Sequence, residues 1–271
     1  MAKLLSSSSS SILPISTYFI EDKCTLKIGV QEYKTILTYT LFLEEGKGSL
    51  YDAEIVRSDY KINGQKIDTK FLGIAHRYVD AMFPLKCKIK EYRLYVTNIS
   101  DIQERIRKID KEIQNAYHGD GIKHIRNNFL DAVENEDKLR SFIKQFSIMK
   151  VISLGMQKFE QRKVYQLQWN ILPIGFSTWR GEIKYDKNLN RIIYEPKIQD
   201  AQEVMDSIIH YIHKHDYNVD LKQENVPLFA DFYHKTEYTG KTGRIKKSET
   251  NICIDVENVF LYEQKITLKN I

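Results

Sequence analysis

The chain has 271 residues and a mass of 32.0 kDa, with 42% hydrophobic and 28% charged residues, enough to fold by itself around one large core or two modest ones. Its 41 Lys and Arg against 36 Asp and Glu leave a net charge of +5, and the two signs interleave near the C-terminal end, which removes nucleic acid as the default partner. No apolar run reaches the roughly 18 residues that a helical membrane span needs.

The start, "MAKLLSSSSSSILPIS", offers Lys3, Leu4 and Leu5 but then a serine run in place of an apolar signal core, so residues 1–16 read as a flexible leader. Cys24, Cys87 and Cys253 lie far apart, without a CxxC pair, and suit buried reduced thiols in a cytoplasmic protein. "CTLKIG" places Cys24, Leu26 and Ile28 on one strand face. "YKTILTYTLFLEE" carries β-branched and aromatic residues on both faces, as a strand covered on both sides would. "SLYDAEIVRSDYKI" continues the sheet to Asn63-Gly64. Phe71, Ile74, Ala75, Tyr78, Val79 and Met82 then repeat at helical spacing until Pro84 stops them. The parity change between Ile89 and Tyr92 predicts a hairpin turning near Lys90-Glu91.

The longest helical pattern follows. Ile99, Ile102, Ile106, Ile109, Ile113 and Ala116 form one narrow stripe, broken by "YHGDG" at 117–121. A second stripe runs through Ile122, Ile125, Phe129 and Val133, and a third through Leu139, Phe142, Ile143, Phe146 and Met149. The short connection predicts that the second helix folds straight back on the first. From residue 151 strand character returns in "KVISLGMQKF", "KVYQLQWNIL", "GFSTWRGEIKYD" and "NRIIYEP", with a turn at Asp186 to Asn190. A helix over about 199–214 precedes "VPLFADFYHKTEY" and "NICIDVENVFLYEQKITLK", both strand-like. Regular βαβ alternation is absent, so the fold class is α+β: mostly antiparallel sheet with covering helices and a helical insert at about 99–150. The β-rich segments are 17–98 and 151–271, in one domain or two.

Chemistry is sparse. In "IIHYIHKHD", Asp206, His210 and His213 recur at one-turn spacing on a helix and could give three ligands to a divalent metal. They sit opposite the buried stripe of Val204, Ile208 and Ile212, so that face is expected to be solvated, and no metal or cofactor is expected. "YTGKTGRIKKSE" contains Gly-Lys-Thr, but Lys235 stands where a phosphate-binding loop needs its first glycine, and a strand follows instead of a helix. It reads as a basic hairpin loop. His118 and Asp120 in "YHGDG" are flanked by glycines that stop and restart a helix.

The leading expectation is a non-enzymatic interaction component of a larger assembly (an accessory, adaptor or neutralising subunit), with Arg105, Lys108, Lys241 and Arg244 as contact residues. The helical insert, the 17 tyrosines and the missing catalytic motifs carry it. A curved antiparallel sheet covered by helices is also similar to carriers of apolar ligands, at the level of fold alone, which gives a second reading. The third is a metal-dependent enzyme using Asp206, His210 and His213.

Overall fold

The computed structural model describes residues 14–47, 50–67, 69–159, 164–219, 227–240 and 244–271. Within the described residues, twelve strands and six α-helices make an α+β fold dominated by antiparallel sheet. The N-terminal strands are β1 (Ser16–Ile28), β2 (Gln31–Glu45) and β3 (Ala53–Ile62). After α1 (Lys70–Asp80) come β4 (Leu85–Lys90) and β5 (Arg93–Val96). The insert comprises α2 (Ile99–Ala116), α3 (Asp120–Ala132), α4 (Glu136–Lys144) and α5 (Ser147–Met156). Then follow β6 (Val164–Ile171), β7 (Gly175–Asp186), β8 (Arg191–Tyr194), β9 (Lys197–Ile198), α6 (Ala201–Lys214), β10 (Leu228–Tyr238), β11 (Ile245–Val256) and β12 (Phe260–Asn270).

The strands run in the order β5-β4-β3-β2-β1-β12-β11-β10-β8-β7-β6, with β9 beside β7. One hydrogen-bonded path therefore joins the two β-rich segments, and β1 pairing with β12 closes the junction between the ends of the chain. Strict inside–outside alternation along β11 and β12 gives the sheet one buried face, with Ile252, Ile254, Tyr262 and Leu268 on it. The path's two end strands, β5 and β6, come back into reach of each other. Arg93 Nη2 on β5 donates to the Gln166 carbonyl on β6 at 3.3 Å. The sheet is thus curled, with a seam between its first and last strands.

Helix α5 lies in the curl, against β5 and β11. From Ile148 to Met156 every residue is buried except Lys150. The approach is close at Gly155, where a Cβ would meet Ile245 Cδ1 at 2.6 Å and force the Ile245 side chain to shift; the Gly155 carbonyl accepts from Tyr238 Oη at 2.7 Å. This corrects the expected strand over 151–159. A helix buried on all sides has no polar face to betray its period, so its apolar run looks like a covered strand. The single helix expected over 139–149 is likewise two, α4 and α5, parted at Gln145 and Phe146.

Two further expectations change. The N-terminal half of β2 is exposed on both faces, and only Leu41 and Leu43 are fully buried; this strand is central in the sheet yet runs out past the core. The α2 stripe packs chiefly on α1 and α4, with α3 also on α1 and α4. The direct tie between α2 and α3 is polar: buried Asp110 accepts from Arg126 Nε at 2.9 Å, from Tyr78 Oη at 2.6 Å and from Gln114 Nε2 at 2.8 Å.

The hairpin at Lys90-Glu91 is present. Its turn uses Glu91 and Tyr92, both at positive φ, a conformation more at home with Asn-Gly. Residues 1–13 of the expected leader lie outside the described residues. Within them, Pro14 is buried beneath the Tyr18 hydroxyl, which donates to its carbonyl, and Ser16 already opens β1.

Candidate ligand-binding site

The seam holds a cavity of about 830 Å³. Its walls are β5 and β6, its floor is α5 and its roof is α4; Phe176 at the start of β7 stands at the mouth, 47% exposed. An edge strand exposes unpaired backbone groups, and here α4 and α5 cover the edge of β5. The Leu94 N–H donates to Ser153 Oγ at 3.4 Å, Gln157 Nε2 donates to the Tyr92 carbonyl at 2.9 Å, and Arg140 Nη1 donates to the Val96 carbonyl at 2.8 Å. With that edge occupied by side chains, the cavity is a side-chain-lined pocket rather than a slot for an added strand.

Four cations line it: Arg93 from β5, Arg140 and Lys144 from α4, and Lys150 from α5. Among the described residues that line it there is no carboxylate. Arg93 and Arg140 are each held by an intramolecular partner. The Arg93 guanidinium lies 4.6 Å from the Tyr165 ring centroid, and Arg140 Nη2 pairs with Glu136 at 3.3 Å. Such part-exposed contacts hold a side chain in place without cancelling its charge. Leu94, Val96, Ile143, Met149 and Leu167 supply an apolar lining between the charges.

Lys150 is the most unusual member. Its Nζ lies 5.3 Å from the Trp169 ring centroid and 6.0 Å from that of Phe176. Burial disfavours its ammonium form and pushes its pKa down to about 8. The aromatic faces stabilise the cation only weakly, and among the described residues no carboxylate meets it. Trp169 is itself fixed: its indole N–H donates to Gln264 Oε1 at 2.9 Å, and Gln264 Nε2 donates to both carboxylate oxygens of Asp22, at 2.9 and 3.0 Å. Burial raises the Asp22 pKa to about 6, against the lowering effect of the Gln264 hydrogen bond.

The residues singled out from sequence fall elsewhere. Asp206, His210 and His213 are exposed on α6, and Asp206 accepts from Gln202 Nε2 at 2.9 Å. Among the described residues no three His, Cys, Asp or Glu side chains are grouped to hold a metal. Arg105, expected to face a partner, is turned inward: its guanidinium donates to the carbonyls of Ala81, Met82 and Pro84 at 2.8, 3.0 and 3.2 Å, satisfying the chain end beyond α1. Lys108 and Arg244 are exposed, and Lys241 lies outside the described residues. The pocket residues carry sequence signals of their own. Lys150 is a lone lysine inside the apolar run "IMKVISLGM", and Arg140 and Lys144 stand one helical turn apart.

No protein-family model and no curated protein matches the chain. A solved structure of lipovitellin, described for its lipid–protein interactions, is similar at a TM-score of 0.48 with 8% identity, over 94% of this chain and 25% of lipovitellin's. This chain spans about a quarter of that protein, and the likeness is too remote to bear on function. No helix among the described residues is long and apolar enough to cross a membrane.

Proposed function

We propose that the protein binds a small organic anion with an apolar portion in the seam between β5 and β6. The observation that carries this reading is the lining itself, in which the described residues set four cations and no carboxylate among apolar side chains. A site of this kind draws an anion by its field and holds the attached carbon skeleton by burial. The volume lies within the range of small-molecule pockets, roughly 300–1,000 Å³. The reading develops the expectation of an apolar-ligand carrier and adds a charge to the ligand.

Octanoate and octylammonium separate charge from chain length. Because Trp169 packs on Lys150, titration can be followed by tryptophan fluorescence and confirmed by calorimetry. Octanoate is expected to bind at one site per chain, at least about tenfold more tightly than octylammonium, a difference of about 1.4 kcal/mol. Arg140→Gln and Lys144→Gln together should erase that preference. Equal affinity for the two ions, or no saturable binding of either, overturns the reading. The alternative of a protein-interaction component is supported by exposed Lys108 and Arg244 alone among its four contact residues, since Arg105 is engaged within the chain.

A further inference from the structure

We infer that Lys150 is a reacting amine, forming an imine with an aldehyde or ketone group carried by the anionic ligand of this pocket. The inference rests on the anion-binding reading and adds chemistry to it. Imine formation needs an amine that is neutral part of the time, open to a cavity, and not tied up by a carboxylate; it also needs a hold on the rest of the carbonyl compound. Lys150 meets the first set of requirements. Lys150 lines the cavity, and its Nζ lies against the rings of Trp169 and Phe176, with no carboxylate partner among the described residues. Arg93, Arg140 and Lys144 meet the last, since they face the same cavity from β5 and α4 and can hold an anionic group while the carbonyl end reaches α5.

The step balances within these groups. The Nζ lone pair attacks the carbonyl carbon, and the π electrons pass to oxygen, which takes a proton to give a carbinolamine. Loss of that hydroxyl as water, with the protons that nitrogen gives up, leaves the C=N bond. No oxidant, reductant or metal is required. Burial supplies the neutral amine near pH 8. Among the described residues the other titratable groups facing the cavity are Tyr95, Tyr165, Arg93, Arg140 and Lys144, and none of them is a carboxylate that would hold the ammonium.

Pyridoxal 5′-phosphate is a suitable probe, because one molecule carries an aldehyde, an aromatic ring and a phosphate. The whole protein is incubated with it, reduced with borohydride, which delivers hydride to the imine carbon, and mapped by peptide mass spectrometry. One adduct per chain on Lys150 is expected. Labelling there at pH 7 should be about tenfold or more faster than at Lys144, should reach half its maximum near pH 8, and should be suppressed by octanoate. Lys150→Arg should abolish the adduct while octanoate still binds, which rules out loss of fold as the cause. Labelling spread over surface lysines with Lys150 unmodified overturns the imine, and if octanoate binds in the same sample the anion pocket stands without it. Failure of octanoate to bind or protect, with Lys150 labelled no faster than its neighbours, overturns both.

Discussion

Two bases taken largely out of water, half-buried Lys150 on α5 and fully buried His234 on β10, show how differently one fold treats such a group. Burial depresses both, Lys150 to about 8 and His234 to about 3. His234 is closed in by hydroxyls: Nδ1 meets Thr250 Oγ1 at 2.8 Å, Nε2 meets Thr236 Oγ1 at 2.9 Å, and Thr236 passes the chain on to Ser248 at 2.9 Å. All four side chains are fully buried or nearly so, and the imidazole is neutral with each ring nitrogen partnered. Lys150 has two aromatic faces and a cavity. A satisfied buried network fixes a fold, whereas a buried amine left facing open space is a cost that the fold itself does not require.

The largest test of the contrast is His234→Ala. Truncation opens a cavity and leaves two buried hydroxyls short of a partner, so a loss of about 3–4 kcal/mol is expected in urea unfolding. A loss under about 1 kcal/mol would mean that the network is slack and that His234 is no more structural than Lys150.

Lys150→Met should act with the opposite sign. The folded pKa lies near 8 against an ordinary 10.5, so the ammonium costs stability at every pH below 8, and the cost vanishes as pH rises through 10.5. Methionine fills similar volume without the charge. A gain of about 2–3 kcal/mol in the ligand-free protein at pH 7 is expected, together with weaker octanoate binding. A loss of stability would show that the ammonium is paired, and would remove Lys150 from the site.

Much of this architecture can be read from the sequence, and the failures share a cause. The helices at 70–80, 99–116 and 201–214 and the strands after residue 164 follow from periodicity because each has a wet side and a dry side. Helix α5 has no wet side, so Val151, Ile152, Leu154 and Met156 read as strand. The pocket escaped for a different reason. Arg93, Arg140, Lys144 and Lys150 come from three elements, and only the curling of the sheet brings β5 to β6, a contact between its first and last strands that no local spacing encodes. The α6 histidines drew attention because they are close in sequence, which on an exposed helix face brings nothing else near them.

The same distinction between engaged and free polar groups separates two cations on α2. Arg105→Ala removes three charge-assisted hydrogen bonds to carbonyls past the end of α1 and should cost about 2 kcal/mol. Exposed Lys108→Ala should stay within about 0.5 kcal/mol. Equal effects in thermal unfolding would put Arg105 back on the surface as a contact residue.

The smallest effect comes from acid, where His234 and Asp22 oppose each other. His234 has its folded pKa below the ordinary 6.5, so the unfolded chain takes up a proton first and stability is lost as pH falls through 6.5 towards 3. Asp22 has its folded pKa near 6, above the ordinary 3.8, so the folded protein takes up a proton first and stability is gained as pH falls from 6 to 3.8. At pH 5.5 the histidine is expected to cost about 1.4 kcal/mol and the aspartate to offset a little under 1 kcal/mol of it. His76, lowered by burial and by Arg57, acts in the same direction as His234. Glu249, held at about 2 by its hydrogen bond from Lys265 and, against burial, by Lys247, acts only below 4.5. Wild-type stability should therefore change little between pH 7 and 5.5. Asp22→Asn keeps an acceptor for Gln264 but cannot titrate, so the variant should lose the full histidine contribution over the same interval. Parallel stability profiles for wild type and variant in urea would show that the Asp22 carboxyl is ionised in the fold, and that its link through Gln264 to Trp169 ends in a charge.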